Sequence, residues 1–171
     1  YEIAGGSHAD GEGLARTGEV ISRDFGVPPL PECSGPLSPL DAGPVHRSSL
    51  TNLLRWIDHG IAPPPSRLID LDEALEVVRD GFGNALGGIR LPPIAVPLGS
   101  FAPGNAGPLP CPLAGTFTAF DGPTLEELYP SHGPYLSAVA RSANDNARQG
   151  YILRSDAVRY VVDAAKSGIG R

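Results

Sequence analysis

Residues 1–10 read YEIAGGSHAD, and this stretch decides how the rest of the chain is interpreted. Its first four residues alternate in polarity, which predicts the end of a β-strand. Gly5 and Gly6 then break the strand, because glycine accepts the backbone angles of a sharp turn. His8 follows on the loop, where an imidazole can reach over a sheet edge and transfer protons. A lone loop histidine is also common on surfaces and at helix caps, so spacing alone leaves its role open.

The composition indicates one loop-rich domain. The chain has 171 residues, of which 41% are hydrophobic, and this is enough to bury a core. Glycine and proline contribute 22 and 19 residues, which predicts much irregular structure. The formal net charge of -6 argues against nucleic acid as a partner. No apolar run reaches the roughly 18 residues of a membrane span, so no membrane partner is expected.

The chain contains no methionine and two cysteines. A complete translated chain begins with methionine, so we expect a further segment to precede Tyr1. Cys33 and Cys111 are too far apart for a CxxC motif, which leaves a disulfide or two buried thiols. The disulfide is favoured because both cysteines lie in proline-rich loops that a covalent link would stabilise. A disulfide would favour a secreted or periplasmic location.

The middle of the chain contains a helix that follows a long loop. Residues 27–44 are punctuated by proline, which predicts an ordered loop. Ser48 or Ser49 is the predicted N-cap of the helix, and Gly60 is its predicted end. Apolar residues occur at helical spacing at Leu50, Leu53, Leu54 and Ile57.

The second half of the chain begins irregularly and becomes helical. Residues 75–78 and 85–89 fit two short strands around a turn, with a helical turn as the alternative. The stretch at residues 91–115 is again rich in loops. Thr124 and Ser155 are predicted N-caps of later helices. The predicted helical patterns occupy residues 125–129, 134–150 and 156–168.

Two local groupings around His8 do not form a site by themselves. Ser7, His8 and Asp10 cannot make a triad, because side chains so close in sequence diverge from one another. A metal site of His8, Asp10 and His46 lacks the helical i, i+4 pairing and the cysteine ligands that would support it. We therefore expect no metal and no cofactor. The sequence also contains no GxSxG elbow, P-loop or dinucleotide fingerprint.

The remaining polar motifs favour structural roles. His59 is expected to interact with a helix C-terminus, and His132 to act as a cap. The glycines at residues 81–88 indicate tight turns rather than a phosphate-binding loop. Arg90 is expected to tie loops together, with Asp80 as its partner, in preference to binding a substrate carboxylate.

Several blocks of the chain together resemble the C-terminal part of a family of α/β-hydrolase-domain proteins. The block DGFGNALGGIRLP at residues 80–92 is the most distinctive. The similarity extends over nearly the whole chain. The other blocks are AGGSHAD, PPLPEC, LLRWIDHGIAPPP, CPLAGTFTAFD, LYPSHGPYLSAV and GYILRSDAVRYVVDAA.

The resemblance implies an α/β fold in which residues 1–26 hold the last core strand, the catalytic-histidine loop and the segment after it. Residues 27–171 would form a proline- and glycine-rich, mainly helical extension that packs on the core. It implies further that His8 is the catalytic histidine of a serine-dependent carboxylic-ester hydrolase. The serine nucleophile and the acid would come from an upstream segment or a companion chain of the same precursor.

The substrate would be a small-molecule ester, and without the upstream part the chain would be inactive. Five aromatic side chains could line the substrate pocket, but packing in the core is the favoured role for each. They are Trp56, Phe82, Phe101, Phe117 and Phe120. The alternative hypothesis is a non-catalytic interaction or structural fragment, because the chain lacks a nucleophile elbow.

Overall fold

The structure is a computed structural model that describes residues 1–26 and 32–171, apart from the side chain of Glu12. These residues form a mixed α/β chain with six α-helices and a two-stranded sheet. The helices are α1 (Gly11–Phe25), α2 (Gly43–His59), α3 (Pro92–Ala95), α4 (Gly122–Leu128), α5 (His132–Arg148) and α6 (Arg154–Lys166), and the strands are β1 (Gly99–Ala102) and β2 (Thr116–Ala119). A short 3-10 helix spans Cys111–Leu113.

The segment after His8 is a helix, α1, which the sequence analysis did not identify. Asp10 caps its start, because the carboxylate Oδ1 accepts a hydrogen bond from the Gly13 amide at 2.6 Å. Gly26 ends the helix in the left-handed conformation, with φ of 64°. The signal was present in the sequence, since an aspartate stands before the segment and a glycine directly after it.

The predicted start of α2 is wrong. The helix begins at Gly43 with Ala42 as N-cap, five residues before Ser48. A proline in the first helical turn suits this start, because its missing amide hydrogen is not needed there. The Asp41 carboxylate accepts a hydrogen bond from the Gly43 amide at 2.7 Å and so satisfies a free donor at the helix end. Gly60 ends the helix as predicted, with φ of 67°.

The predicted loop at residues 27–44 is therefore too long at its end. Residues 27–31 lie outside the described part of the chain, residues 32–42 contain no helix or strand, and residues 43–44 belong to α2. The disulfide prediction is confirmed, because Cys33 and Cys111 are bonded with an S–S distance of 2.11 Å. The bond links this loop to the 3-10 helix.

The three helices of the last third are confirmed, but two of their predicted N-caps are wrong. Asp121 caps α4, since its Oδ1 accepts a hydrogen bond from the backbone amide of Thr124 at 2.9 Å. The N-cap of α6 is Leu153, and the helix starts one residue before Ser155. A carboxylate in the cap position binds the free amides directly, which explains why Asp121 takes the role predicted for Thr124.

The predicted turn at residues 80–84 is confirmed, while the strands beside it are reduced to isolated bridges. Arg79 pairs with Ala85 in antiparallel fashion, and the Asp80 amide donates to the Asn84 carbonyl at 2.8 Å. Regular strands form elsewhere, with β1 inside the stretch predicted to be loop-rich, residues 91–115, and β2 directly after it. There β1 and β2 pair antiparallel with Phe101 opposite Phe117. Flanking proline and glycine residues obscure this pair in the sequence.

The main core collects residues from both ends of the chain. Ile89, Leu91 and Ile94 are fully buried at its centre, and Ala4 packs with them. A second cluster joins the face of α5 to α6 and α3; its buried members are Val96, Tyr135, Val139 and Ala164. No helix of the described residues is long and apolar enough to span a bilayer.

Candidate functional site

The His8 loop is fixed at both of its ends. Before the loop, Ile3 forms a parallel bridge with Ile89, and the Ala4 amide donates to the Ile89 carbonyl at 3.1 Å. The predicted strand is thus a single bridge. After the loop, Ala9 forms a parallel bridge with Ala114. These attachments hold a short loop between two pieces of ordered backbone, so the position of His8 is set by its neighbours.

Glycine makes the turn into the loop possible. Gly5 has a φ of 71°, a conformation that residues with a Cβ rarely adopt. A Cβ atom at Gly5 would also lie 2.6 Å from Cδ1 of Ile94 in the buried core. Both the angle and the close packing therefore require glycine at this position.

His8 itself is exposed, and its side chain has no hydrogen-bond partner among the described residues. The polar neighbours on the loop are already engaged. The Ser7 hydroxyl donates to the Ala9 carbonyl at 2.8 Å, and the Asp10 carboxylate caps α1. The structure therefore agrees that these three residues are not a triad by themselves. Any acid or nucleophile that acts with His8 has to come from outside this loop.

His8 lines an open cleft of about 730 Å³ between the first residues of the chain, α1 and the start of α2. A second histidine, His46 in the first turn of α2, lines the same cleft. The apolar part of the wall is formed by Ile3, Leu14, Leu40 and Leu113. The cleft can hold a small organic molecule or a packed chain segment beside an accessible imidazole.

The cleft does not supply a metal site. No group of three or more histidine, cysteine, aspartate or glutamate side chains within residues 1–26 and 32–171 has an arrangement that could hold a metal ion. His8, Asp10 and His46 do line one cleft, but Asp10 is used as a helix cap. The sequence analysis considered His46 only for a metal site and missed its place beside His8. Its position depends on where α2 starts, which local sequence did not reveal.

The other two histidines lie at helix ends. His59 is the last residue of α2 and is exposed. His132 is the first residue of α5, but the N-cap is Ser131. The predicted capping role of His132 is therefore wrong. Its ring Nδ1 instead forms a hydrogen bond with the Ile169 carbonyl at 2.8 Å, which attaches the end of the chain to α5.

The predicted pairing of Arg90 and Asp80 is confirmed. The guanidinium of Arg90 forms an ion pair with the Asp80 carboxylate and also donates to the Ile94 carbonyl at 3.1 Å. Asp80 in turn accepts a hydrogen bond from the Asn84 amide at 3.0 Å. Arg90 therefore ties the turn to α3, as its expected structural role requires.

The aromatic residues divide between the core and the surface. Phe101 is buried and stacks on Phe117 with ring centroids 4.8 Å apart. The rings of Phe82 and Phe120 have centroids 5.5 Å apart, and Phe82 is 40% exposed. Trp56 is 54% exposed and lies on α2. None of the five lines the His8 cleft. The favoured role, packing in the core, is confirmed for Phe101 and Phe117 and is wrong for the exposed Trp56.

A second polar cluster, remote in sequence from His8, surrounds Asp156 on α6. Asp156 is 1% exposed, and its Oδ1 atom accepts hydrogen bonds from both Arg47 and Arg159. Burial alone would raise the pKa of Asp156, but these two guanidinium groups lower it below its usual value. The other oxygen, Oδ2, is buried without a hydrogen-bond partner in the described residues. Sequence analysis missed this cluster because Arg47 lies 109 residues from Asp156 along the chain.

The chain was compared with protein-family models, curated proteins and solved structures. The family model described as "Alpha/beta hydrolase domain" matches residues 1–162, nearly the whole chain. The match includes the His8 loop, α2 and most of α6. No curated protein and no solved structure gave a match.

Proposed function

Because this chain belongs to the alpha/beta-hydrolase-domain family, we propose that it is the histidine-bearing part of a serine-dependent carboxylic-ester hydrolase. His8 acts as the general base. The serine nucleophile and the acid come from an upstream segment or a companion chain of the same precursor. The substrate is a small-molecule ester.

The observation that carries the proposal is the exposed, unpartnered His8 on a loop held at both ends. A general base has to approach a nucleophile carried by another element, within about 2.6–3.2 Å. An imidazole engaged in packing or capping is not free to do so. His8 opens into a cleft with apolar walls, which suits the reception of a further polypeptide segment and an ester.

The mechanism follows the usual course of acyl transfer. His8 takes the proton of the serine hydroxyl as the oxygen attacks the ester carbonyl, and the supplied acid orients the imidazole and stabilises its cationic form. Backbone amides of the supplied segment stabilise the oxyanion. Collapse of the tetrahedral intermediate expels the alcohol, which receives the proton from His8. Water activated by His8 then releases the carboxylic acid and regenerates the serine.

The second candidate function, a non-catalytic interaction fragment, is favoured by the outer face of α2. From Leu50 onward the helix leaves the core, and its apolar side chains are about half exposed or more. The exposed side chains are Leu50, Leu53, Leu54, Trp56 and Ile57. Exposed apolar patches of this kind mark contacts with other polypeptides. In the enzymatic proposal the same face packs against the supplied hydrolase segment.

The test compares His8→Ala with His59→Ala in a preparation that contains the supplied segment. His59 is a matched control, since it is also an exposed histidine but lies at the end of α2. Removing a triad histidine lowers kcat by about 10⁴-fold or more. We expect that loss for His8→Ala on a short-chain chromogenic ester and less than about twofold change for His59→Ala. Equal turnover of the two variants would remove His8 from the mechanism.

Circular dichroism separates the two candidate functions. An interaction fragment keeps its helices when it is alone, whereas the enzymatic proposal expects the supplied segment to increase helical order and thermal stability.

The disulfide adds a proposal on location, because such bonds persist in oxidising compartments. We place the protein outside the cytoplasm, secreted or periplasmic, and intact-mass measurement of freshly isolated protein checks this through the loss of two hydrogens.

A further inference from the structure

An apolar cavity of about 310 Å³ lies among α3, the β1–β2 pair, α5 and α6. It shares no lining residue with the His8 cleft, and it is therefore independent of the proposed ester hydrolysis. Its apolar wall includes Val96, Leu98, Phe101, Phe117, Val139 and Ala164. Burial of apolar ligand surface against such a wall favours binding.

A smaller pocket of about 230 Å³ adjoins this cavity. The two spaces share four lining residues, namely Pro39, Pro93, Tyr160 and Asp163. Four charged side chains line the smaller pocket, whereas Asp163 is the one charged residue among those that line the larger cavity. The two together thus form one amphipathic site, which we call the α6 cavity, with an apolar chamber and a charged mouth.

Carboxylates dominate the charged mouth. Asp41, Asp156 and Asp163 line it, against one lining guanidinium, that of Arg159. Arg159 and Arg47 both bind Oδ1 of Asp156, so their charges are already committed to that oxygen. The excess charge at the mouth is negative.

Two of these carboxylates retain unused hydrogen-bonding capacity. Oδ2 of Asp156 is buried without a partner, an arrangement that costs free energy unless a donor arrives. The Asp163 carboxylate is exposed at the mouth and forms no ion pair within the described residues. Oδ2 of Asp156 can accept a further hydrogen bond, and the Asp163 carboxylate can pair with a positively charged donor.

Tyr160 lies where the two spaces meet. It lines both parts of the α6 cavity. Burial is the main cause that raises the pKa of its hydroxyl; the carboxylates of Asp41 and Asp156 raise it further, and the guanidinium groups of Arg159 and Arg47 lower it. The ring also offers a face for cation–π contact.

We propose that the α6 cavity binds a small molecule with an aryl or alkyl body and one primary ammonium group. The body fills the apolar chamber, and the ammonium donates hydrogen bonds at the carboxylate mouth. A carboxylate of the same shape is repelled there, and an alcohol gains only neutral hydrogen bonds.

Three probes of equal shape test the proposal by isothermal titration calorimetry on the 171-residue chain at pH 7. They are 4-phenylbutylamine, 4-phenylbutanol and 4-phenylbutyrate. We expect the amine to bind with a Kd on the order of 1 mM or tighter, as suits a ligand of this size. We expect the alcohol to bind about tenfold more weakly, since a hydrogen bond between charged groups is stronger than a neutral one, and the carboxylate to show no saturation. Absence of amine binding, or equal binding of amine and carboxylate, overturns the proposal.

The variant Asp163→Asn locates the site. Asp163 is exposed, so the substitution leaves the fold intact, and it should weaken amine binding about tenfold while leaving alcohol binding unchanged. Glu127→Gln is the matched control, because Glu127 is an exposed helical carboxylate outside the cavity. His8→Ala should bind the amine as the unmodified chain does, which separates this proposal from the enzymatic one. Equal effects of Asp163→Asn and Glu127→Gln would show that the amine binds elsewhere, and the proposal would fail.

Discussion

Replacement of Asn84 by alanine tests whether the turn at residues 80–84 is a structural anchor of the fold. Asn84 is fully buried. Its side-chain amide donates to the Gly99 carbonyl at 3.1 Å, and its Oδ1 accepts from the Phe101 amide at 2.9 Å. One side chain thus connects the turn to two backbone positions of β1.

The expected loss can be worked out from these two bonds. Asn84→Ala leaves the Phe101 amide and the Gly99 carbonyl buried and unpaired, at about 1–3 kcal/mol each. Water has no access to a site with no exposed surface. The free energy of unfolding should therefore fall by about 3–5 kcal/mol, the middle of the range of about 2–6 kcal/mol that the two groups give together. For a chain of this length, that loss lowers Tm by roughly 6–20 °C.

Asn105→Ala is the matched control. Asn105 also joins two distant parts of the chain, since its side chain exchanges hydrogen bonds of 3.0 and 2.9 Å with the backbone of Gly35. It is only half-buried, so water replaces the lost bonds, and we expect a cost below about 1 kcal/mol. Urea denaturation followed by circular dichroism measures both variants. If the two losses in free energy of unfolding agree within about 0.5 kcal/mol, burial does not explain how much the hydrogen bonds of Asn84 contribute to stability.

Three further perturbations have defined outcomes. Replacing Cys33 and Cys111 by alanine opens a link between residues 78 apart and should lower the free energy of unfolding by about 4 kcal/mol in urea; an unchanged midpoint would contradict the entropic argument. Burial raises the pKa of the Tyr129 hydroxyl from an ordinary 10.0 to about 12. The contribution of neutral Tyr129 to the free energy of unfolding is therefore fully present below pH 10.0 and is lost as the pH rises through about 12. In urea titrations at several pH values, a Tyr129→Phe variant should lose less free energy of unfolding over that range. Gly5→Ala should lower the free energy of unfolding by about 2–4 kcal/mol, because the position has a positive φ and the added Cβ would clash with the core. Gly26→Ala, with the same kind of φ but open space around it, should lower it by only about 1 kcal/mol in thermal unfolding. Similar losses for the two variants would show that the backbone angle alone matters.

Local sequence features were sufficient where structure depends on neighbours along the chain. The glycine at the end of α2 and the apolar face of α5 were both predictable, because caps and helical periodicity act over a few residues. The turn at residues 80–84 and its Arg90–Asp80 ion pair were predictable for the same reason. The Cys33–Cys111 bond was predictable from loop composition, since both cysteines lie among prolines.

Predictions failed where two strong local signals competed. Serines at positions 48–49 looked like the N-cap of α2, yet the helix starts at Gly43, because a proline in the first turn and the Asp41 carboxylate satisfy that end. Proline and glycine around β1 likewise suggested a loop. The pairing of Phe101 with Phe117 overrides that signal through long-range packing.

By itself, the sequence determined the positions of most helices, the glycine turn before His8, the candidate role of that histidine, and the resemblance to a hydrolase family. Only the tertiary structure decided what surrounds these parts: the placing of His46 in the His8 cleft, the exposure of the apolar face of α2, and the convergence of Asp41, Asp156 and Asp163 at one cavity. The physical reason is range. Caps, turns and periodicity are settled by residues a few positions apart, whereas clefts and charge clusters are formed by residues that meet only when distant segments pack together.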